Sequence, residues 1–243
     1  MTTTDELFRY AQDDSELAGP ETKETLRYRA ALFAGLESVR SRPLSVTTAT
    51  EICSIIHRRH MDIRSLPGTI VANPATRRAI YTPPQGEGVI RDKLANWADF
   101  IHGATSVDPL VRMAIAHYQF EAIHPFADGN GRTGRILNIL VMVDAGLLQS
   151  PILYLSRYII AHKDDYYRLL LDVTRSGTGE EWILFMLTAV RETARATLVK
   201  IDAIQDLRGI VREQVRATAG ANSDLLDVLF EQPYCRIGHE VAQ

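Results

Sequence analysis

The sequence predicts a mainly α-helical domain with one small β-hairpin. Apolar residues recur at helical spacing through most of the chain, as in residues 20–39, where Leu26, Ala30 and Phe33 share a face. Only residues 67–84 break this pattern, because two short β-prone runs there flank a segment of turn-forming residues. A helical bundle with a hairpin on its surface is therefore the expected fold.

The second predicted helix covers about residues 47–61. Its apolar inner stripe consists of Ile52, Cys53, Ile55 and Ile56. His57 and His60 lie three residues apart on the same helix, which is a spacing that metal sites can use. Because Arg58 and Arg59 between them would repel a cation, we expect a solvated face rather than a metal site.

The predicted hairpin pairs residues 69–71 with residues 79–81 around the turn sequence NPAT at 73–76. A helix over about residues 90–101 follows it, with Leu94, Trp97 and Phe100 facing inward. From its residues alone, the hairpin is expected to be a surface element without a function of its own.

Asp108 and Pro109 predict the start of the next helix, since Asp accepts the first backbone amides and Pro fits the first turn. That helix leads into a polar stretch at residues 124–135. His117 lies on it among apolar neighbours, which predicts a hydrogen-bonded core histidine rather than a catalytic one.

Helices are also predicted for most of the remaining chain. They comprise a continuation to about Gly146, an apolar segment at 151–160, a helix with Tyr166 and Tyr167, and one or two long helices over about 180–216. Residues 217–222 are small and polar, as is typical of a linker. We therefore expect one domain over residues 1–216, followed by a linker and a partial helical segment over 217–243.

Composition favours a soluble, cytoplasmic protein. Hydrophobic residues make up 46% of the 243 residues, and the net charge of -3 gives no reason to expect a nucleic acid or membrane surface as partner. Two cysteines without metal-ligand spacing fit a reducing compartment. The sequence shows no signal-peptide pattern and no apolar run of spanning length.

Residues 124–135, HPFADGNGRTGR and hereafter the motif, combine groups that packing does not require. His124 can accept a proton near neutral pH, because the reference pKa of His is about 6.5. Gly129 and Gly131 flank Asn130 and allow a tight turn whose N–H groups converge on an anion. A helix that begins near Gly131 adds unpaired N–H groups at the same place.

The charged residues of the motif indicate a metal-bound nucleotide. Arg132 and Arg135 share a face of the first helical turn, and their planar guanidinium groups suit phosphate oxygens. Asp128 suits Mg2+, which usually takes one or two carboxylates together with the phosphates. A loop that merely capped a helix would need one polar side chain and not this set. The motif therefore predicts a nucleotide site beside a base.

The motif resembles the signature of the Fic domain family, H-x-F-x-D-G-N-G-R-x-x-R, at every fixed position. Members of that family typically transfer AMP from ATP to a hydroxyl on a protein. The resemblance implies His124 as the base that deprotonates a Ser, Thr or Tyr hydroxyl, Asp128 as the Mg2+ ligand and Phe126 as a core anchor. The residues that it implies for nucleotide binding are Asp128, Gly129, Asn130, Gly131, Arg132, Gly134 and Arg135. Relatives that phosphorylate carry Lys in place of Gly131, so nucleotidyl transfer is favoured.

The resemblance also assigns roles outside the motif. The hairpin corresponds to a flap that lies over the active site and pairs with the target backbone, and Ile80 and Tyr81 would be closest to target and nucleotide. A Tyr-Tyr pair at this distance after the motif implies that Tyr166 or Tyr167 stacks on adenine. Residues 217–243 resemble the opening of a winged-helix module without its recognition helix, so no DNA binding is carried over.

The sequence departs from the family in the segment that inhibits the enzyme in many relatives. Many Fic proteins carry an inhibitory S/T-x-x-x-E-G/N helix, but here residues 2–7 and 47–52 match only its Thr and Glu. One interpretation is a chain that lacks its N-terminal inhibitory helix, because its opening resembles what lies just downstream of that helix in self-inhibited relatives. The other is a toxin-like protein whose separate antitoxin supplies the Glu. Both predict an unrestrained enzyme whose Arg135 can bind the γ-phosphate.

Other functions remain open at this stage. A nucleotide-sensing regulatory module or a DNA-associated module would bind without transfer, but sensing would not need His124. A de-AMPylase would need the inhibitory Glu that is missing. The protein target, the choice among ATP and other nucleotides, auto-AMPylation and a homodimer are not decided by the sequence.

Overall fold

The computed structural model describes residues 19–72, 79–219 and 230. The chain falls into two compact units. One is Arg27–Ala194, and the other combines the residues up to Leu26 with those from Arg195 onward. The motif and every residue discussed below as part of the site belong to Arg27–Ala194.

The described residues form helices and one two-stranded antiparallel hairpin. The elements are α1 (Pro20–Ser41), α2 (Val46–His57), β1 (Val71–Ala72), β2 (Ala79–Tyr81), α3 (Glu87–Gly103), α4 (Pro109–Ile123), α5 (Asn130–Asp144), α6 (Ser156–Ala161), α7 (Lys163–Ser176) and α8 (Glu180–Ala219). The mainly α prediction is confirmed. The predicted turn at 73–76 and most of the predicted tail beyond 219 lie outside the described residues.

The hairpin places Val71 opposite Tyr81 and Ala72 opposite Ala79. The second strand matches the predicted run at 79–81, whereas the first covers Val71–Ala72 and not the predicted 69–71. None of the helices in the described part of the chain is long and apolar enough to cross a membrane.

Helix α4 is the centre of the larger unit and packs against α3 and α5. Two buried tryptophans fix its neighbours. The indole N–H of Trp97 on α3 donates to the Ala116 carbonyl at 3.0 Å, and that of Trp182 on α8 donates to the Ala114 carbonyl at 2.8 Å. Truncating a buried aromatic side chain of this kind typically costs about 3–5 kcal/mol. The helix that leads into the motif is therefore held by buried tryptophans from two neighbouring helices.

Helix α2 ends at His57, earlier than the predicted end near residue 61. Arg58 adopts the left-handed conformation with φ 52°, and its N–H donates to the Ile55 carbonyl. The N–H of Met61 donates to the Ser54 hydroxyl at 3.0 Å, which closes the turn. A left-handed C-terminal residue is usually Gly. Because this one is Arg, no glycine marks the end of the helix in the sequence.

Candidate active site

His124 lies at the C-terminal end of helix α4. The Asp108 carboxylate accepts the Leu110 N–H at 2.9 Å, so the predicted cap is confirmed. The helix ends at His124, whose φ of 50° lies in the left-handed region. For a residue with a Cβ, that conformation costs about 1–2 kcal/mol. Contacts from elsewhere must therefore hold the turn.

Arg64, which the sequence analysis did not single out, provides these contacts. Its side chain is buried, and its Nε donates to the His124 carbonyl at 2.7 Å. Its Nη2 donates to the carbonyls of Ile123, at 3.3 Å, and Pro84. Its backbone N–H donates to the Pro125 carbonyl at 2.9 Å. One guanidinium thus joins the end of α4 to the segment that follows the hairpin.

The His124 imidazole is suited to accept a proton. Burial lowers the pKa of His124, and a hydrogen bond with the backbone carbonyl of Glu121 acts in the opposite direction. The positive charge of Arg64 adds to the lowering. In a neutral ring, the nitrogen that donates to this carbonyl carries the proton, so the other nitrogen keeps its lone pair.

The loop between α4 and α5 is held by two of its own residues. Phe126 is fully buried, which confirms its predicted role as an anchor. Asn130 is also buried, and its amide donates to the Phe126 carbonyl and accepts the Phe126 N–H, both at 2.8 Å. Its side chain therefore shapes the loop and is not directed at an anion.

The N-terminus of α5 presents backbone amides to the loop. Gly129 precedes it with φ 87°, a conformation that favours glycine. The first hydrogen bond that closes the helix runs from the Thr133 N–H to the Gly129 carbonyl at 2.9 Å. By helix geometry, the first N–H groups of α5, those of Asn130 and Gly131, point out of the helix and add partial positive charge at this end.

Asp128 lies beside this helix end, and 68% of its side chain is exposed. Its Oδ1 accepts the Gly129 N–H at 2.6 Å, and its Oδ2 lies 3.7 Å from Arg132 Nη2. No group of three or more His, Cys, Asp and Glu side chains in the described ranges could hold a metal by itself. A single exposed carboxylate fits a Mg2+ ion whose remaining ligands come from phosphates and water.

Helix α2 contacts the same loop, so the predicted solvated face is wrong for His57. Its side chain is only 13% exposed, and Nε2 lies 3.8 Å from Asp128 Oδ2. One turn earlier, the Cys53 thiol donates to the Asp128 carbonyl at 3.4 Å. His60, beyond the helix end, is exposed as predicted.

Arg135 lies on the side of α5 that faces α4. A Cβ on Gly131 would lie 3.2 Å from Arg135 Nη1 and 3.9 Å from Glu121 Oε1. Burial raises the pKa of Glu121 to about 7, against the lowering effect of Arg135. Gly134 makes room for Glu121, because a Cβ there would lie 2.6 Å from Glu121 Oε1.

The two predicted adenine-stacking tyrosines differ in exposure. Tyr166 is buried, and its hydroxyl is 2.9 Å from His117 Nε2. Burial lowers the pKa of His117 to about 3, so the predicted core histidine is neutral and hydrogen-bonded. Tyr167 is 53% exposed. Of the pair, Tyr167 is the ring that a ligand can reach.

The hairpin is tied to α4 through Tyr81. The Tyr81 hydroxyl donates to the Ala122 carbonyl at 2.8 Å, two residues before His124. Ile80, the neighbouring position of β2, is 41% exposed. The two predicted flap residues therefore have different environments, since one anchors the strand and the other faces solvent.

A partly buried base at the end of one helix adjoins an amide-lined helix N-terminus that carries a carboxylate and an arginine. This arrangement defines a helical domain suited to bind a phosphorylated ligand next to a proton acceptor. Comparison with known proteins agrees with it. The model of the Fic/DOC family matches residues 43–142, so this part of the chain is similar to that family.

Individual relatives give the same result. Protein adenylyltransferase fic-1 of Caenorhabditis briggsae is 43% identical over 68 residues, which are 27% of this chain and 13% of that protein. A probable protein adenylyltransferase of Aquifex aeolicus is 34% identical over 103 residues, or 42% of this chain and 32% of that protein. The chain therefore spans less than two thirds of these relatives. The crystal structure of a Fic family protein from Desulfovibrio desulfuricans G20 superimposes with a TM-score of 0.60 and 27% identity, over 82% of this chain and 60% of that one.

Proposed function

We propose that this chain is a protein adenylyltransferase, which transfers AMP from Mg2+-bound ATP to a hydroxyl group of a protein. The observation that carries the proposal is the position of His124. Its imidazole is held with a lowered pKa at the end of α4, and six residues further on, at Asn130, α5 begins with its N-terminal amides. Binding alone would use the amides and arginines without a base.

The residues of the motif supply binding and proton transfer in this proposal. The N–H groups of Asn130 and Gly131, together with the side chains of Arg132 and Arg135, bind the phosphates. Asp128 would hold Mg2+, which when bound would offset the negative charge of the phosphates. Tyr167 is the candidate for stacking on adenine, whereas Tyr166 supports the pocket from the core.

Transfer follows as one displacement at phosphorus. The hydroxyl oxygen of the target attacks the α-phosphorus while His124 accepts its proton. The bond from the α-phosphorus to pyrophosphate breaks, so that AMP is joined to the target oxygen and pyrophosphate leaves. The helix N-terminus and the arginines stabilise the negative charge that develops on the phosphate oxygens.

The hairpin is the proposed docking element for the target. β2 offers main-chain groups for pairing with an extended segment, and Ile80 is exposed on it. Because Tyr81 bonds to α4 close to His124, a target paired with β2 would be held near the base. A segment of this same chain could serve as target, which would be auto-AMPylation.

The test is incubation with ATP that carries a radioactive α-phosphate, followed by gel analysis and mass spectrometry. We expect an AMP adduct on a lysate protein or on the chain itself. His124→Ala should lower labelling by about 10²–10⁴-fold, the usual contribution of a general base, and leave nucleotide binding intact. His60→Ala is the matched control because His60 is exposed. Labelling that survives in His124→Ala would refute the base, and nucleotide binding without any adduct would favour a sensor.

A further inference from the structure

The Asp128 carboxylate needs an external group to fix its orientation. It is largely exposed, and its own loop holds only Oδ1, through the Gly129 N–H at 2.6 Å. Arg132 approaches Oδ2 at 3.7 Å, but in the proposed function Arg132 also binds phosphate. An exposed carboxylate held at one oxygen retains rotational freedom, which a metal ligand must lose on binding.

His57 is placed to restrict Oδ2. Its Nε2 lies 3.8 Å from Oδ2 and is buried, with no hydrogen-bond partner among the residues that the structure describes. A buried ring nitrogen without a partner is unfavourable unless a polar group close by can pair with it.

The ring of His57 is itself held firmly. A Cβ on Gly129 would lie 2.6 Å from His57 Nε2 and 3.1 Å from its Cδ2, so the ring packs directly against this glycine. One turn earlier, Cys53 bonds to the Asp128 carbonyl from the same helix. Helix α2 therefore contacts both the backbone and the side chain of Asp128.

From this geometry we infer that His57 is a positioning residue, which donates its Nε2–H to Asp128 Oδ2 and so orients the carboxylate toward Mg2+. Direct ligation by His57 is disfavoured because Mg2+ prefers oxygen ligands. The inference rests on the proposed function, since it concerns the same site. It adds a residue outside the motif that sets how tightly the metal-bound nucleotide is held.

The test measures metal binding and not transfer. Free Mn2+, which substitutes for Mg2+ and is visible by electron paramagnetic resonance, is titrated into the 243-residue chain with α,β-methylene-ATP, an analogue that cannot release pyrophosphate. His57→Leu keeps the approximate volume of the ring but removes the N–H, whereas His57→Gln retains an N–H donor. We expect His57→Leu to weaken metal binding about 10- to 100-fold, the usual effect of losing such a partner, and His57→Gln to restore most of it. His60→Ala should bind as the unaltered protein does.

Thermal unfolding of each variant separates this role from simple space filling. If His57→Leu binds Mn2+ as tightly as the unaltered protein, or if His57→Gln is as weak as His57→Leu, the positioning role is wrong. Failure of the proposed function would look different. In that case the unaltered protein would itself fail to bind the metal-bound analogue, or would bind it without transferring AMP from ATP.

Discussion

Replacing Arg64 tests whether the turn at His124 depends on one buried guanidinium. Arg64→Met keeps the length of the side chain but removes its hydrogen bonds to the carbonyls of His124, Ile123 and Pro84. A hydrogen bond from a charged donor contributes about 1.5–3 kcal/mol, and the three bonds are not additive because they share one group. We therefore expect the free energy of unfolding to fall by roughly 2–4 kcal/mol.

The same substitution should impair transfer more than stability explains. His124 occupies a left-handed conformation that costs about 1–2 kcal/mol, so the turn can relax once Arg64 no longer holds its carbonyl. A displacement of about 1 Å at a reacting group can lower a rate by about 100-fold. Transfer rates at saturating ATP, measured well below the melting temperature, would show this loss while most of the protein remains folded.

The pH dependence of the transfer rate distinguishes a role of Arg64 in positioning His124 from a role in stabilising the fold. The charge of Arg64 contributes to the lowered pKa of His124, so Arg64→Met lets that pKa rise. Because only the neutral imidazole accepts a proton, the acid limb of the rate profile should move to higher pH. Arg91→Met, which removes an exposed arginine paired with Asp62 and Glu87, should change stability by about 0.5 kcal/mol or less. An unmoved acid limb together with an unchanged rate would refute the reasoning.

Two further predictions concern the contact between α4 and α5. Burial raises the pKa of Glu121 from 4.5 to about 7, so the folded state binds its proton more tightly than the unfolded state does. The free energy of unfolding should therefore decline as pH rises from about 4.5 to about 7. In Glu121→Gln, the free energy of unfolding measured by denaturation should depend less on pH over this range. An equal pH dependence in both proteins would contradict the prediction. Gly134→Ala should destabilise by about 1–3 kcal/mol, because the new Cβ would lie 2.6 Å from Glu121 Oε1. The helical control Gly209→Ala, with open space around it, should instead gain about 0.5–1 kcal/mol in the same urea titration, and an equal gain at residue 134 would exclude the clash.

Local chemistry explains which parts of this fold could be predicted. The cap at Asp108, the helical spacing and the β-prone runs act over a few residues, so their signals stand in the sequence. The left-handed end of α2 at Arg58 was missed because it is set by hydrogen bonds to Ile55 and Ser54 and not by a glycine. Because α2 was predicted to continue to about residue 61, His57 and His60 were expected to share a helical face. They do not share one, because the helix ends at His57.

The motif could be recognised from its residue types, but the groups that hold it could not. Arg64 reaches the His124 carbonyl across 60 residues, and Cys53 reaches the Asp128 carbonyl across 75. Neither residue lies in a pattern that indicates such a contact, because an arginine after a helix and a cysteine on an apolar stripe have many ordinary roles. The packing of α2 against α5 brings Cys53 to the loop, and Arg64 follows in the segment after α2.

These distant contacts hold two different parts of the site, the turn at His124 and the carboxylate of Asp128. The turn that carries His124 is strained and depends on Arg64, whereas Asp128 is exposed and depends on the edge of α2. The motif alone supplies a base, a carboxylate and a helix N-terminus. It does not hold the left-handed turn at His124 or the Oδ2 atom of Asp128. In the proposed function, proton transfer by His124 and metal binding by Asp128 would therefore depend on different parts of the fold, although the two residues lie within five positions of each other in the sequence.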